Sequence, residues 1–151
     1  MITLAAEDLF VTRMEADATL MAILTGKVWT AGEVGLEGIT RETAPTAFSG
    51  GYLLPCALVR QRGRIPTTDV VDYIEQVTSA IQIVEVWLYE DRGYTSIDAA
   101  AARLYTLFQG HIMAGTFEIR LANVIDRQRD EGSLAGASLA RLDWQVDSII
   151  E

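Results

Sequence analysis

Between Val77 and Tyr89 the chain concentrates β-branched and aromatic residues, with Ile81, Ile83, Val84, Val86, Trp87 and Leu88 falling on both parities of one run. Successive side chains of a strand point to opposite faces, so a run that is apolar on both parities needs cover on both faces. The run predicts a central strand, and a central strand restricts the fold to a sheet layered with other elements. The opposite pattern appears later. Leu142, Trp144 and Val146 alternate with Arg141, Asp143, Gln145 and Asp147, predicting a strand with one buried and one polar face.

The rest of the chain supplies the layers. Leu4, Phe10, Val11 and Met14 recur at helical spacing, and Leu20, Ile23 and Leu24 continue after Asp17, a predicted N-cap. Gly26 is the expected left-handed C-cap, and Lys27-Val28-Trp29 reads as a strand start. Residues 30–51, with Gly32, Gly35, Gly38, Gly50, Gly51 and Pro45, have a loop composition. Tyr52 to Arg62 returns to strand character, followed by a turn-rich tip through Thr68. Thr95 and Asp98 resemble a capping box opening a helix whose buried face is Ile97, Ala101, Leu104, Phe108 and Ile112. Phe117, Ile119 and Leu121 predict a half-buried strand, and Arg127 to Gly136 a polar turn. The order is helix, helix, strand pair, helix, strand pair. It predicts a single α+β domain over residues 1–151, a mainly antiparallel sheet with helices packed on one face, with residues 30–51 and 60–79 as long loop or hairpin excursions.

Composition narrows the function. The 151 residues carry 12 Lys+Arg against 21 Asp+Glu, a net charge of −9. Such a balance argues against a free-standing binder of nucleic acid or anionic membrane. His111 is the only histidine and Cys56 the only cysteine, so one chain holds neither a two-histidine metal site nor an internal disulfide. The Met1–Ala6 segment lacks a basic region and Glu7-Asp8 interrupts its apolar stretch, so the sequence reads as unprocessed and soluble. No apolar run approaches the roughly 20 residues of a membrane span.

Candidate chemistry is sparse. Gly136-Ala137-Ser138-Leu139-Ala140 approximates a nucleophile elbow, but it leads into an alternating strand rather than a helix. Gly32 to Gly38 contains Glu33 and Glu37, which would repel phosphate, and lacks the lysine of a phosphate cradle. His111 follows Gly110 at a helix end, where a partly protonated imidazole is favoured by the helix dipole. Cys56 reads as an inert buried residue. No residue qualifies as catalytic, metal-binding or cofactor-binding. Two basic groups remain: Arg60, Arg62 and Arg64 on one parity, and Arg127 and Arg129 followed by Asp130 and Glu131. Contact between copies of the chain, plain solvated charge, and nucleic-acid contact are three accounts of them; the acidic surroundings and the lack of interleaved aromatics weigh against the last.

The order of elements resembles the tail terminator family of long-tailed bacteriophages. The similar features are the helical pair ending Ile23-Leu24-Thr25-Gly26-Lys27-Val28-Trp29, the Tyr52-Leu53-Leu54-Pro55 strand start, Val84 to Tyr89, the helix from Ile97 to Gln109, and the closing Leu142 to Val146. The resemblance is one of pattern over nearly the whole chain. It implies a non-enzymatic virion protein, assembled in the host cytoplasm, that forms a hexameric ring, caps the tail tube and joins it to the neck. The implied partners are further copies of the chain, the tube protein and a neck or head-proximal connector, with DNA passing through the lumen unbound. No membrane and no cofactor are implied. Arg60, Arg62, Arg64, Arg127, Arg129, Asp130 and Glu131 are the interface candidates. Two other readings stay open: another neck or head–tail completion protein, and a small α+β enzyme or ligand-binding subunit using Asp, Glu and Tyr side chains.

Overall fold

The computed structural model describes residues 6–67, 78–113, 116, 118–130, 134 and 136–150. Two helices open the fold, α1 (Ala6–Ala16) and α2 (Ala18–Ile23), followed by the short strand β1 (Val28–Thr30). A one-turn helix α3 (Ala31–Val34), two 3-10 turns and the small hairpin β2 (Phe48–Ser49) and β3 (Tyr52–Leu53) come next. Long strands β4 (Cys56–Thr67) and β5 (Thr78–Glu90) precede helix α4 (Thr95–Phe108), and β6 (Arg120–Arg129) and β7 (Ser138–Ile150) complete the order. The main sheet runs β1-β4-β5-β7-β6, antiparallel except where β1 lies parallel to β4. This is the α+β fold expected, a five-stranded sheet with α1, α2 and α4 on one face.

Strand β5 holds the centre, paired with β4 on one side and with β7 along its whole length on the other, from Thr78 opposite Ile150 to Glu90 opposite Ser138. Val84, Val86 and Leu88 of β5 and Leu142, Trp144 and Val146 of β7 are buried against the helices. Phe10 of α1 stacks on Phe108 of α4 with ring centroids 4.1 Å apart, and both tilt against Trp144 at 6.4 and 5.8 Å. Full burial of these three rings ties both helices to the middle of the sheet. Asp17 then joins the helices at the surface. Its carboxylate accepts from Leu20 N at 2.9 Å as the α2 N-cap and from Arg103 Nε and Nη2 at 2.8 and 2.7 Å. The Arg103 guanidinium is the main reason the Asp17 pKa falls from 3.8 to about 2.

The opposite face of the sheet is covered at one end by residues 30–55. Thr30 and Glu33 form a reciprocal capping box that starts α3, and Val34, Ile39, Ala44, Ala47 and Leu53 pack on Cys56, Leu58, Tyr89 and Leu139. This second cluster explains why β5 is apolar on both parities, with Trp87 and Tyr89 facing the excursion and their even-numbered neighbours facing the helices.

Several local expectations are corrected. Lys27, with φ of 72°, takes the left-handed position assigned to Gly26. Gly26 is needed for space, because a Cβ there would lie 3.0 Å from Cys56 Cβ, Leu54 O and Pro55 O. No side chain caps α4 at Tyr94; Glu90, at the end of β5, accepts from Ser96 N through both carboxylate oxygens at 3.1 and 3.2 Å. Strand β4 continues through Thr67, over most of the tip expected from Arg60 to Thr68, and β6 runs on to Arg129; residues 68–77 of the expected 60–79 excursion lie outside the described residues. The expected tips at Arg60–Arg64 and Arg127–Arg129 are therefore strand, each carrying a register shift, between Gln61 and Arg64 and between Ile125 and Gln128. Among the described residues no helix is long and apolar enough to cross a membrane.

Candidate functional site

The middle of the sheet's second face carries a compact charged grid. Glu85 of β5 and Asp143 of β7 are direct cross-strand partners, 6% and 4% exposed. Two like charges placed opposite one another repel, so the pair needs cations. Arg141 supplies one, with Nε 3.0 Å from Asp143 Oδ1, Nη2 donating to Oδ2 at 3.1 Å, and Nη1 3.8 Å from Glu85 Oε2. Arg62 supplies the other, at 3.4 Å from Glu85 and 3.3 Å from Asp143. Arg62 reaches Glu85 diagonally, two residues along β4 from Arg60, which lies directly opposite Glu85. Arg141 also lies over the Trp87 ring at 5.3 Å. Glu85 chiefly, and Asp143 next, hold the Arg62 guanidinium above its ordinary range.

The other basic residues separate. Arg127, at φ of 49°, turns to the helix side, donating to Asp98 at 3.1 Å and lying 5.1 Å above the Tyr94 ring. Arg60 is half-buried, and the side chain of Arg64 lies outside the described residues. Asp130 closes the turn before β7, accepting from Leu134 N at 2.8 Å through Oδ2 and from Gly136 N at 2.9 Å through its carbonyl. Glu131 lies outside the described residues.

Arg129 lines a cleft of about 570 Å³ at the end of the sheet. Arg41 of the excursion, Asp91 and Arg92 after β5, and Ser138 at the start of β7 complete its polar wall, over Phe48, Leu53 and Leu134. Arg41 lies across the Phe48 ring and donates to Gly51 O at 2.8 Å. The side chain of Arg92 is 90% exposed and reaches Asp91 only at 3.7 Å. The Arg129 side chain makes no hydrogen bond or ion pair among the described residues, its backbone being paired with Ser138. Sequence reasoning missed Arg41 and Arg92 because they sit singly in loops; their shared signal is proximity to turn glycines.

Among the described residues Ser138 and His111 form no hydrolytic constellation. Ser138 is buried at the sheet-end cleft, while His111 sits in a separate groove between α1 and α4 with Arg13, Leu107 and Met113. Burial, and then the Arg13 charge, push His111 down, against the expected pull of the helix end. The Cys56 thiol is pushed up to about 12 by burial, which leaves it unreactive. Among the described residues no group of three or more His, Cys, Asp or Glu could hold a metal ion.

No protein-family model matches the chain, and no curated protein matches it. A chain of a solved structure described as the virion of a native gene transfer agent particle does, with a TM-score of 0.62, covering 97% of this chain and 96% of that chain at 16% identity. The two share a fold. The likeness covers nearly the whole of both chains and is one of fold.

Proposed function

We propose that this chain is a structural virion protein, a tail terminator that closes into a ring on the end of the tail tube and joins the tube to the neck. The single observation that carries the reading is the end-to-end fold likeness to a chain of a gene transfer agent virion. The order of elements, similar to tail terminators, supports the finer role. The partners are further copies of the chain in a ring of six, the tube protein on one side and a connector on the other. The net charge of −9 suits a lumen that DNA crosses without adhering. Arg60, Arg62, Arg64, Arg127, Arg129, Asp130 and Glu131 remain the interface candidates from sequence; Arg129 is the one with an open cleft beside it. Function here is ring closure and docking, with no bond made or broken.

Negative-stain imaging and native mass spectrometry of the purified protein, alone and with the tube protein, test this. The expected result is a ring with a central hole that sits on tube ends and stops their growth. A protein that remains monomeric in both conditions refutes the proposal. A ring that binds a head-proximal connector and ignores the tube would move it to another neck position.

A further inference from the structure

The excursion presents one conspicuous projection. Leu36 is 105% exposed at the apex of a tight turn whose two ends, Val34 and Ile39, are each 2% exposed in the second apolar cluster. Gly35 and Gly38, at φ of 63° and 71°, reverse the backbone on either side of Leu36. A single exposed leucine is ordinary on a protein surface. This one is held outward on a short rigid support, the Thr30–Glu33 capping box, and is flanked by the exposed carboxylates Glu33 and Glu37. It is an acidic peg with an apolar tip.

The sheet-end cleft has the complementary character. Arg41, Arg92 and Arg129 outnumber Asp91 around it, on a chain whose net charge is −9, and Phe48, Leu53 and Leu134 give it an apolar floor. Peg and cleft are distinct surfaces: neither Leu36 nor Glu33 or Glu37 is among the residues that line the cleft, although both surfaces draw on residues 30–55.

We infer that the Leu36 peg of one copy seats in the Arg41–Arg92–Arg129 cleft of the next, placing Glu33 and Glu37 against the arginines. The inference rests on the proposed ring and names the contact that builds it. Two different surfaces meet, so the contact is heterologous and propagates from copy to copy until rotation closes it. Burying the leucine removes its apolar surface from water, and the arginines gain counter-charges, which the Arg129 side chain does not find among the described residues.

Two variants test it. Leu36→Asp removes the apolar tip and leaves the cleft; Arg92→Glu combined with Arg129→Glu reverses the cleft and leaves the peg. All three positions are exposed, so circular dichroism stays at wild-type values, and so do urea midpoints compared at a concentration where wild type and variant are both dissociated. Each variant alone should associate about 30-fold or more weakly than wild type in sedimentation, as for a central anchor residue. An equimolar mixture keeps one intact peg and one intact cleft, and should give a one-to-one dimer and nothing larger. A wild-type ring together with fully assembling variants would overturn the contact and leave the ring standing. Monomeric variants whose mixture forms no dimer would show that the two surfaces do not meet. A wild type that never associates, alone or with tube, would remove both the contact and the ring.

Discussion

Replacing Arg141 by leucine isolates what the charged grid contributes. In the folded chain Arg141 stands 3.0 Å from one buried carboxylate and 3.8 Å from another. At an effective dielectric of about 20, unit charges at those separations attract by about 5 and 4 kcal/mol before any desolvation is counted. The leucine removes that attraction and leaves Asp143 and Glu85 facing one another under the Arg62 guanidinium alone, whose side chain is 52% exposed and correspondingly screened. Arg62 offsets part of the loss, so the net cost is about 3 kcal/mol, at the lower end for breaking a buried pair. With a urea dependence of about 2 kcal/mol per molar for a domain of this size, the midpoint should fall by about 1.5 M. Equilibrium unfolding followed by circular dichroism, at a concentration where wild type and variant are equally assembled, reads this directly. The double variant Arg141→Leu with Asp143→Leu should recover most of the loss, because neither removed charge leaves its partner stranded. An Arg141→Leu midpoint within about 0.3 M of wild type, or a double variant no better than the single, would refute the account of the grid as a mutually dependent pair.

Three further outcomes follow from other parts of the molecule. Asp17→Asn keeps a good N-cap but loses the charge partner of Arg103, costing about 1 kcal/mol near neutral pH after allowance for solvent screening. Because the Asp17 pKa in the fold, about 2, lies below its ordinary 3.8, its contribution is complete above pH 3.8 and disappears as pH falls toward 2; the difference between wild type and variant in thermal melts should vanish over that window. Gly26→Ala should destabilise by about 2 kcal/mol in urea unfolding, since its Cβ meets backbone oxygens of Leu54 and Pro55 that cannot move aside cheaply. Ser138→Ala should assemble and melt like wild type, and any loss of function in that variant would reopen a nucleophilic role.

How much of this was legible depended on whether the signal was local. Strands β5 and β7 and helix α4 announce themselves because each buries a regular set of side chains, such as Leu142, Trp144 and Val146 on one parity. Strand β6 does not, because at the sheet edge Asn123, Val124, Asp126 and Gln128 are all exposed and no parity is apolar. The extension of β4 through Arg62, Gly63, Arg64 and Pro66 hides for a similar reason: turn-prone residues are carried in a strand by pairing with β5. The cap of α4 was misplaced because Glu90 reaches it from another element. The grid was illegible for a deeper reason. Asp143 sits on the polar parity of a clean alternation and reads as solvated, yet it is buried because Arg141 of its own strand and Arg62 of β4 close over it. Periodicity reports which face a residue takes, and says nothing of what lies above that face.

The position of β7 has a consequence for the timing of folding. It is the last of these strands in the chain but lies inside the sheet, between β5 and β6. Until it is synthesised, β6 has no neighbour and one long side of β5 is bare. Pairing Glu90 with Ser138 requires closing a loop that contains all of α4 and β6, the kind of distant contact that slows folding. A nascent chain can settle α1, α2 and the β4–β5 hairpin early, yet it presents no finished sheet-end cleft until β7 inserts. On the proposed contact, a partly made chain has no finished cleft to receive the peg of another copy.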